Sequence, residues 1–138
     1  MEQGDPEMMQ LVEKRITVDQ VRKAFWDANA AGIKTFSYFI IGYIGETEQT
    51  MQATIDLAKD LNPTYVMFTK AVPLPKTPLM NQSVSEGLVD PEYWRKYTLG
   101  VQQAPMPNLV PNAEKWVAHA YRSFYLRPSV IIKRLLSI

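Results

Sequence analysis

Thr35-Phe36-Ser37-Tyr38-Phe39-Ile40-Ile41-Gly42-Tyr43-Ile44-Gly45-Glu46-Thr47 is the stretch that decides the fold. Its apolar run is near-continuous rather than alternating, the pattern of a parallel strand covered on both faces. Gly42 and Gly45 let the backbone turn tightly after it, and Thr47 is placed to cap the next helix. The segment predicts a strand from about residue 34 to Gly42 that runs into a strand-to-helix corner. In α/β proteins such corners gather at the carboxyl end of the sheet, where ligands bind.

Helical signals flank the strand. Upstream, Thr17 to Gln20 forms a capping box with Ile16 and Val21 as its hydrophobic staple. Val18, Val21, Phe25 and Ala28 then recur at helical spacing until Gly32. Downstream, Met51, Thr54, Ile55, Ala58 and Leu61 predict the inward face of a helix from about Glu48 to Leu61, stopped by Asn62-Pro63. Tyr65 to Phe68 and Ala71 make a second strand, one βαβ unit after the first, so a right-handed crossover makes the two parallel neighbours.

The ends of the chain are less periodic. Asp5-Pro6 opens a short helix to about Arg15. After residue 72, seven prolines from Pro73 to Pro111 punctuate the sequence, with short helices expected near 78–86 and 91–98. Asn112 is read as the N-cap of a helix that puts Trp116, Val117, Ala120, Tyr121 and Phe124 on one face, and Pro128 starts a last one. Two parallel strands rarely stand alone, because their edges and one face need partners. The expectation is a piece of a larger α/β barrel whose exposed strand edges drive dimerisation of the isolated chain.

Composition narrows the chemistry. The 138 residues are 46% hydrophobic and 21% charged with a formal net charge of +1, which gives no reason to expect nucleic acid or a membrane surface as partner. No run approaches the roughly 18 apolar residues of a transmembrane segment, and nothing at the start reads as a cleavable signal, so the expected compartment is cytoplasmic. Cysteine is absent, which excludes thiolate metal ligation and cysteine nucleophiles in these residues. A single histidine, His119, leaves no second one for a metal cluster.

Several stretches, in order, resemble one family. Glu2-Gln3-Gly4-Asp5 is similar to the Glu-Ser-Gly-x that ends a barrel strand in radical S-adenosylmethionine (radical SAM) enzymes, and Ile16 to Gln20 resembles the helix opening that follows it there. Phe39 to Thr47 resembles the family's Ile-x-Gly-x-Pro-Gly-Glu-Thr, and Pro73 to Leu79 resembles Pro-Tyr-Pro-Gly-Thr-Pro-Leu. Phe124 to Pro128 is similar to the extension of the cobalamin-binding-domain branch, which includes anaerobic magnesium-protoporphyrin IX monomethyl ester oxidative cyclases. Three positions depart from the pattern: Gln3 replaces Ser, Ile44 replaces Pro and Lys76 replaces Gly. The family's CxxxCxxC loop and any cobalamin-binding segment are absent from the chain.

The resemblance implies the C-terminal part of a partial TIM-type (β/α) barrel over residues 1–80, followed by an irregular and helical extension over 81–138. It implies S-adenosylmethionine and a [4Fe–4S] cluster in an oxidoreductase parent, with cobalamin open, and a 5′-deoxyadenosyl radical that abstracts hydrogen from substrate. The partner would be the missing N-terminal half of the same barrel, and the chain alone would be inactive. Carried over by position, Glu2 would hydrogen-bond the ribose or methionine part of the cofactor. Ile40 and Gly42 would touch adenine, and Val72, Pro73 and Leu74 would close around the same ring.

The plainer readings stand beside these. Gly42 and Gly45 serve the turn whatever the function, Glu46 is a helix-start charge favoured by the dipole, and Thr77 is a helix cap. Tyr38 and Lys70 would meet substrate if they point into the barrel and otherwise pack the strand. His119 is a surface or packing residue, and Arg127, Lys133 and Arg134 form a solvated face. Two other functions compete: a barrel enzyme binding phosphate at the Gly42–Thr47 turn, and a non-catalytic interaction module.

Overall fold

The computed structural model describes residues 16–101 and 105–135. The helix expected before residue 16 and the position of Glu2 lie outside the described residues. The order is α1 (Val18–Ala30), β1 (Phe36–Ile41), α2 (Glu48–Leu61), β2 (Tyr65–Lys70), α3 (Pro78–Ser85), α4 (Tyr93–Thr98), α5 (Ala113–Tyr125) and α6 (Pro128–Leu135). The chain is therefore α/β, and its described residues form a two-stranded parallel sheet in which Phe36 pairs with Tyr65 and Ile41 with Lys70.

Local chemistry sets these boundaries. The Thr17 hydroxyl accepts from the Gln20 N–H at 3.2 Å while the Gln20 side chain accepts from the Thr17 N–H at 2.8 Å, which satisfies two free donors at the start of α1. Gly32 follows with φ +70° and the Ile33 N–H returns to the Ala28 carbonyl at 2.9 Å, closing α1. Helix α2 buries Met51, Thr54, Ile55, Leu57, Ala58 and Leu61, one stripe plus a flank. Asn62 ends it in the left-handed conformation, φ 45°.

Both strands alternate in burial. Ser37, Phe39, Ile41, Val66 and Phe68 are buried, whereas Phe36, Tyr38, Tyr65 and Met67 are exposed. The near-continuous apolar run of β1 predicts cover on both faces; among the described residues only one face is covered. Helices α2 and α5 pack on that face, and α1 packs on α2. Phe39 stacks on Phe68 with ring centroids 5.5 Å apart, and Phe124 and Tyr121 meet Phe68 edge-on at 6.4 and 5.5 Å. Ala113, Ala120 and Phe124 thus share one core with β1, β2 and α2, although they come from the C-terminal extension. A second cluster, from Ile44, Ala71, Met80, Val89 and Tyr93 to Met106 and Leu109, roofs the carboxyl end of the sheet.

Two expectations about the last helices change. Asn112 does occupy the N-cap of α5, but its φ of 60° is left-handed and its side chain makes no capping bond. Arg127 is not merely solvated: its Nη1 donates to the Lys59 carbonyl at 3.0 Å, its Nε to the Phe124 carbonyl at 3.0 Å, and its guanidinium lies 4.4 Å from the centre of the Phe124 ring. Partial burial lowers its pKa from the ordinary value. Arg127 therefore ties the end of α2 to the end of α5, because its donors reach carbonyls that a helix C-terminus leaves without partners. The side chains of Lys133 and Arg134 lie outside the described residues. No helix among the described residues is long and apolar enough to cross a membrane.

Candidate functional site

The corner after β1 is built by a carboxylate. Gly42 and Gly45 take φ +91° and +90°, conformations that side chains disfavour. The chain then doubles back so that Glu46, buried at 7% exposure, accepts from the Gly42 N–H at 2.5 Å and the Tyr43 N–H at 2.9 Å through Oε2. Glu46 is thus more than a charge at a helix start: its side chain turns inward and holds the two amides that the turn frees. Thr47 and Thr50 close a reciprocal cap at 3.3 and 2.9 Å, which begins α2 immediately afterwards. Gly42 has a second reason to be glycine, since an added Cβ would stand 2.8 Å from the Ala113 Cβ at the start of α5.

The corresponding end of β2 is clasped by the extension. Lys70 Nζ donates to the Met106 carbonyl at 2.7 Å and the Asn108 side chain at 3.3 Å, and pairs with Glu114 at 2.6 Å. The register places Lys70 opposite buried Ile41, so it reaches the covered face and does not extend toward the open one. Beyond it, buried Pro73 gives its carbonyl to the Trp94 indole N–H at 2.8 Å, while Val72 and Leu74 on either side stay exposed at 37% and 54%. Thr77 caps α3 as expected, accepting from the Met80 N–H at 3.2 Å. Lys76, standing where the resembled motif has glycine, holds φ +64°, the glycine-like conformation.

Between these corners lies the open face of the sheet. Phe36, Tyr38 and Ile40 of β1 stand opposite Tyr65, Met67 and Thr69 of β2, with no charged side chain among the six. Phe36 lies 4.7 Å from the Tyr38 ring and 6.3 Å from Tyr65, so the surface is aromatic and continuous. Contiguous exposed apolar faces of this kind mark interaction surfaces or ligand-binding grooves in folded proteins. At its carboxyl rim, Ile40 is half-buried and Val72 and Leu74 offer apolar side chains. The Gly42 N–H and the Pro73 carbonyl already have partners within the chain, so these two residues would present shape, with their polar groups engaged.

The remaining candidates fall elsewhere. His119 is exposed on α5, edge-on to Trp116 at 5.5 Å and 3.3 Å from the Ser123 hydroxyl, as the sequence predicts. Among the described residues no three His, Cys, Asp or Glu side chains gather to hold a metal. An open hollow lined by Arg22, Phe25, Trp26, Asn29, Asp60 and Leu61 lies between α1 and the end of α2, away from the two carboxyl-end corners.

No family model matches the chain. It is similar to an uncharacterized methyltransferase of Pyrococcus horikoshii, 35% identical over 134 residues that make up 96% of this chain and 29% of that protein. It is also similar to cytidylyl-2-hydroxyethylphosphonate methyltransferase of Streptomyces wedmorensis, 26% identical over 71% of this chain and 20% of the relative. The third is the anaerobic magnesium-protoporphyrin IX monomethyl ester cyclase of Rubrivivax gelatinosus, 30% identical over 54% of this chain and 13% of the relative. The chain thus spans less than a third of each of these relatives. Two of the names are methyltransferases, and the third is a cyclase.

Proposed function

We propose that this chain is the C-terminal part of the (β/α) barrel of a radical SAM enzyme and forms one wall of its adenosyl pocket. The open aromatic face between the carboxyl-end corners carries this reading. A barrel would enclose that face as its lumen, leaving the helix-covered face outside. Ile40, Val72 and Leu74 suit the flat apolar surface of an adenine, and Gly42 and Pro73 fix the backbone around it. Glu2 would supply a carboxylate for hydroxyl or ammonium groups of the same cofactor. The similarity along nearly the whole chain to a protein named a methyltransferase favours methyl transfer in the parent over oxidative cyclisation.

The chain's own residues do not fit the iron–sulfur cluster. It has no cysteine, so the cluster that supplies the electron for cofactor cleavage would be held by other parts of a longer polypeptide. Residues 1–138 alone are expected to be inactive. Phosphate at the Gly42–Thr47 turn is the weaker alternative, because the Glu46 carboxylate already fills the amides that would bind an anion and would repel one.

The test uses the longer polypeptide, reconstituted anaerobically with iron and sulfide. The expected result is a visible iron–sulfur absorbance band and reductive release of 5′-deoxyadenosine from S-adenosylmethionine. Leu74→Glu and Ile40→Asp should weaken binding of S-adenosylmethionine at least tenfold while leaving the band intact, about 1.4 kcal/mol of lost apolar contact. Absence of the band, or unchanged affinity in both variants, would refute the assignment.

A further inference from the structure

The turn after β2 is fixed from outside the sheet. The Ala71 N–H still donates to the Ile41 carbonyl at 2.8 Å, but Pro73 and Pro75 have no N–H with which to continue the ladder. Two carbonyls of the turn are taken by other elements instead. The Trp94 indole N–H of α4 donates to the carbonyl of buried Pro73 at 2.8 Å. The Thr77 hydroxyl, at the N-cap of α3, donates to the Leu74 carbonyl at 2.7 Å, and the Thr77 N–H reaches the same oxygen at 3.3 Å.

These two carbonyls belong to the peptide groups on either side of the Leu74 Cα. A peptide group is planar, so holding both groups fixes the two dihedrals of Leu74 and with them the direction of its Cβ. Pro75 narrows the choice further, because a residue before proline is steered away from helical backbone. Trp94 is itself held. Its ring meets Tyr93 and Tyr97 edge-on at 5.5 and 5.7 Å and packs on the cluster that contains Ala71 and Met80. Leu74, the residue so constrained, is nevertheless 54% exposed. Core packing does not call for an exposed leucine to be fixed. A pre-formed apolar contact for a ligand does, since a side chain already in place loses little freedom when the ligand arrives.

We propose that Trp94 is a positioning residue for the pocket: together with Thr77 it aims the Leu74 side chain at the place where an adenine would lie. The proposal rests on the reading of this rim as part of an adenosyl pocket. It makes the C-terminal extension part of the binding machinery, since Trp94 lies beyond residue 80. Thr77 has two tasks, because its hydroxyl also accepts from the Met80 N–H at 3.2 Å to cap α3. Trp94 is the cleaner probe. The indole has a single N–H, so Trp94→Phe keeps an aromatic ring and removes this bond.

Two measurements test it. On the 138-residue chain, magnetic relaxation should give the Leu74 amide an order parameter of about 0.85, that of rigid backbone, and Trp94→Phe should lower it toward about 0.6. The Phe68 amide in β2 should stay rigid in both, which separates a freed corner from general loosening. On the longer polypeptide with its cluster reconstituted, calorimetry reads the affinity for S-adenosylmethionine. Leu74→Ala should weaken binding about tenfold and Trp94→Phe about fivefold. Adding Trp94→Phe to Leu74→Ala should cost less than about twofold more, because the tryptophan acts through Leu74. A tryptophan that only stabilises the fold would weaken binding equally in both backgrounds. If Trp94→Phe does not fold, Thr77→Val takes its place in the same cycle, and Thr77→Ser should restore both readouts. An unchanged order parameter, or additive losses of affinity, would overturn the positioning role. Normal affinity in Leu74→Ala would refute the adenosyl reading of the rim rather than the pin, which the order parameter judges without the cofactor.

Discussion

Gly42→Ala is the substitution that asks most of this fold. The residue holds φ +91°, and a left-handed backbone costs a residue with a Cβ about 1–2 kcal/mol. The new methyl would also stand 2.8 Å from the Ala113 Cβ and 3.5 Å from a Val110 methyl, where ordinary contact begins near 3.4 Å. Overpacking of this kind adds about 1–3 kcal/mol. The expected total is about 2–5 kcal/mol, read as a lower urea midpoint at unchanged slope. Ala113→Gly separates the two causes. Alone it should cost about 1 kcal/mol, as a glycine in a helix. Combined with Gly42→Ala it removes the close contact but leaves the backbone strain. The double variant should therefore be more stable than the sum of the singles by about 1–3 kcal/mol. Additivity within about 0.5 kcal/mol would show that α5 does not press on the corner, and Gly42 would then owe its place to the turn alone.

Three further substitutions test the corner and its surroundings. Glu46→Ala strips the acceptor from the Gly42 and Tyr43 amides and should cost about 3 kcal/mol in urea unfolding, with Glu46→Gln costing roughly half; a loss under about 1 kcal/mol for alanine would mean that water replaces the carboxylate. Ser37→Ala removes a buried hydroxyl that has no hydrogen-bond partner among the described residues and should raise stability by about 1 kcal/mol, seen as a higher Tm in calorimetry; a lower Tm would contradict it. Lys76→Gly relaxes a left-handed residue at the exit of the second corner and should also stabilise, by about 0.5–1 kcal/mol, unless the gain is consumed by unfolded-state entropy, in which case the urea midpoint stays fixed and the strain argument fails.

What the sequence reveals here follows the range of the interactions involved. The capping box at Thr17, the cap at Thr47, the stripe from Met51 to Leu61 and the parallel pairing of two strands one βαβ unit apart rest on neighbours or on crossover handedness, and all are present. Lys70 reads as a strand residue and Tyr121 as a core aromatic, while Tyr125 enters only in the stretch Phe124 to Pro128. Their partners at Met106, Glu114, Phe68 and Val66 lie far along the chain, and no local pattern names them. The one cue was the i, i+4 spacing of two side chains with an apolar ring and a polar tip.

The character of β1 is the more instructive difference. Phe36, Tyr38 and Ile40 are as apolar as Phe39 and Ile41, so the sequence asks for two covers, and the helices among the described residues provide one. Apolar residues record where water is excluded in the complete protein, without saying which segment excludes it. The mismatch between composition and cover among the described residues therefore lies on the Phe36–Tyr38–Tyr65 side. It also runs up to the corner that Glu46 holds shut. On the proposed barrel reading, the segment that covers this face would enclose the carboxyl-end rim in the same step, so assembly and pocket formation would be one event.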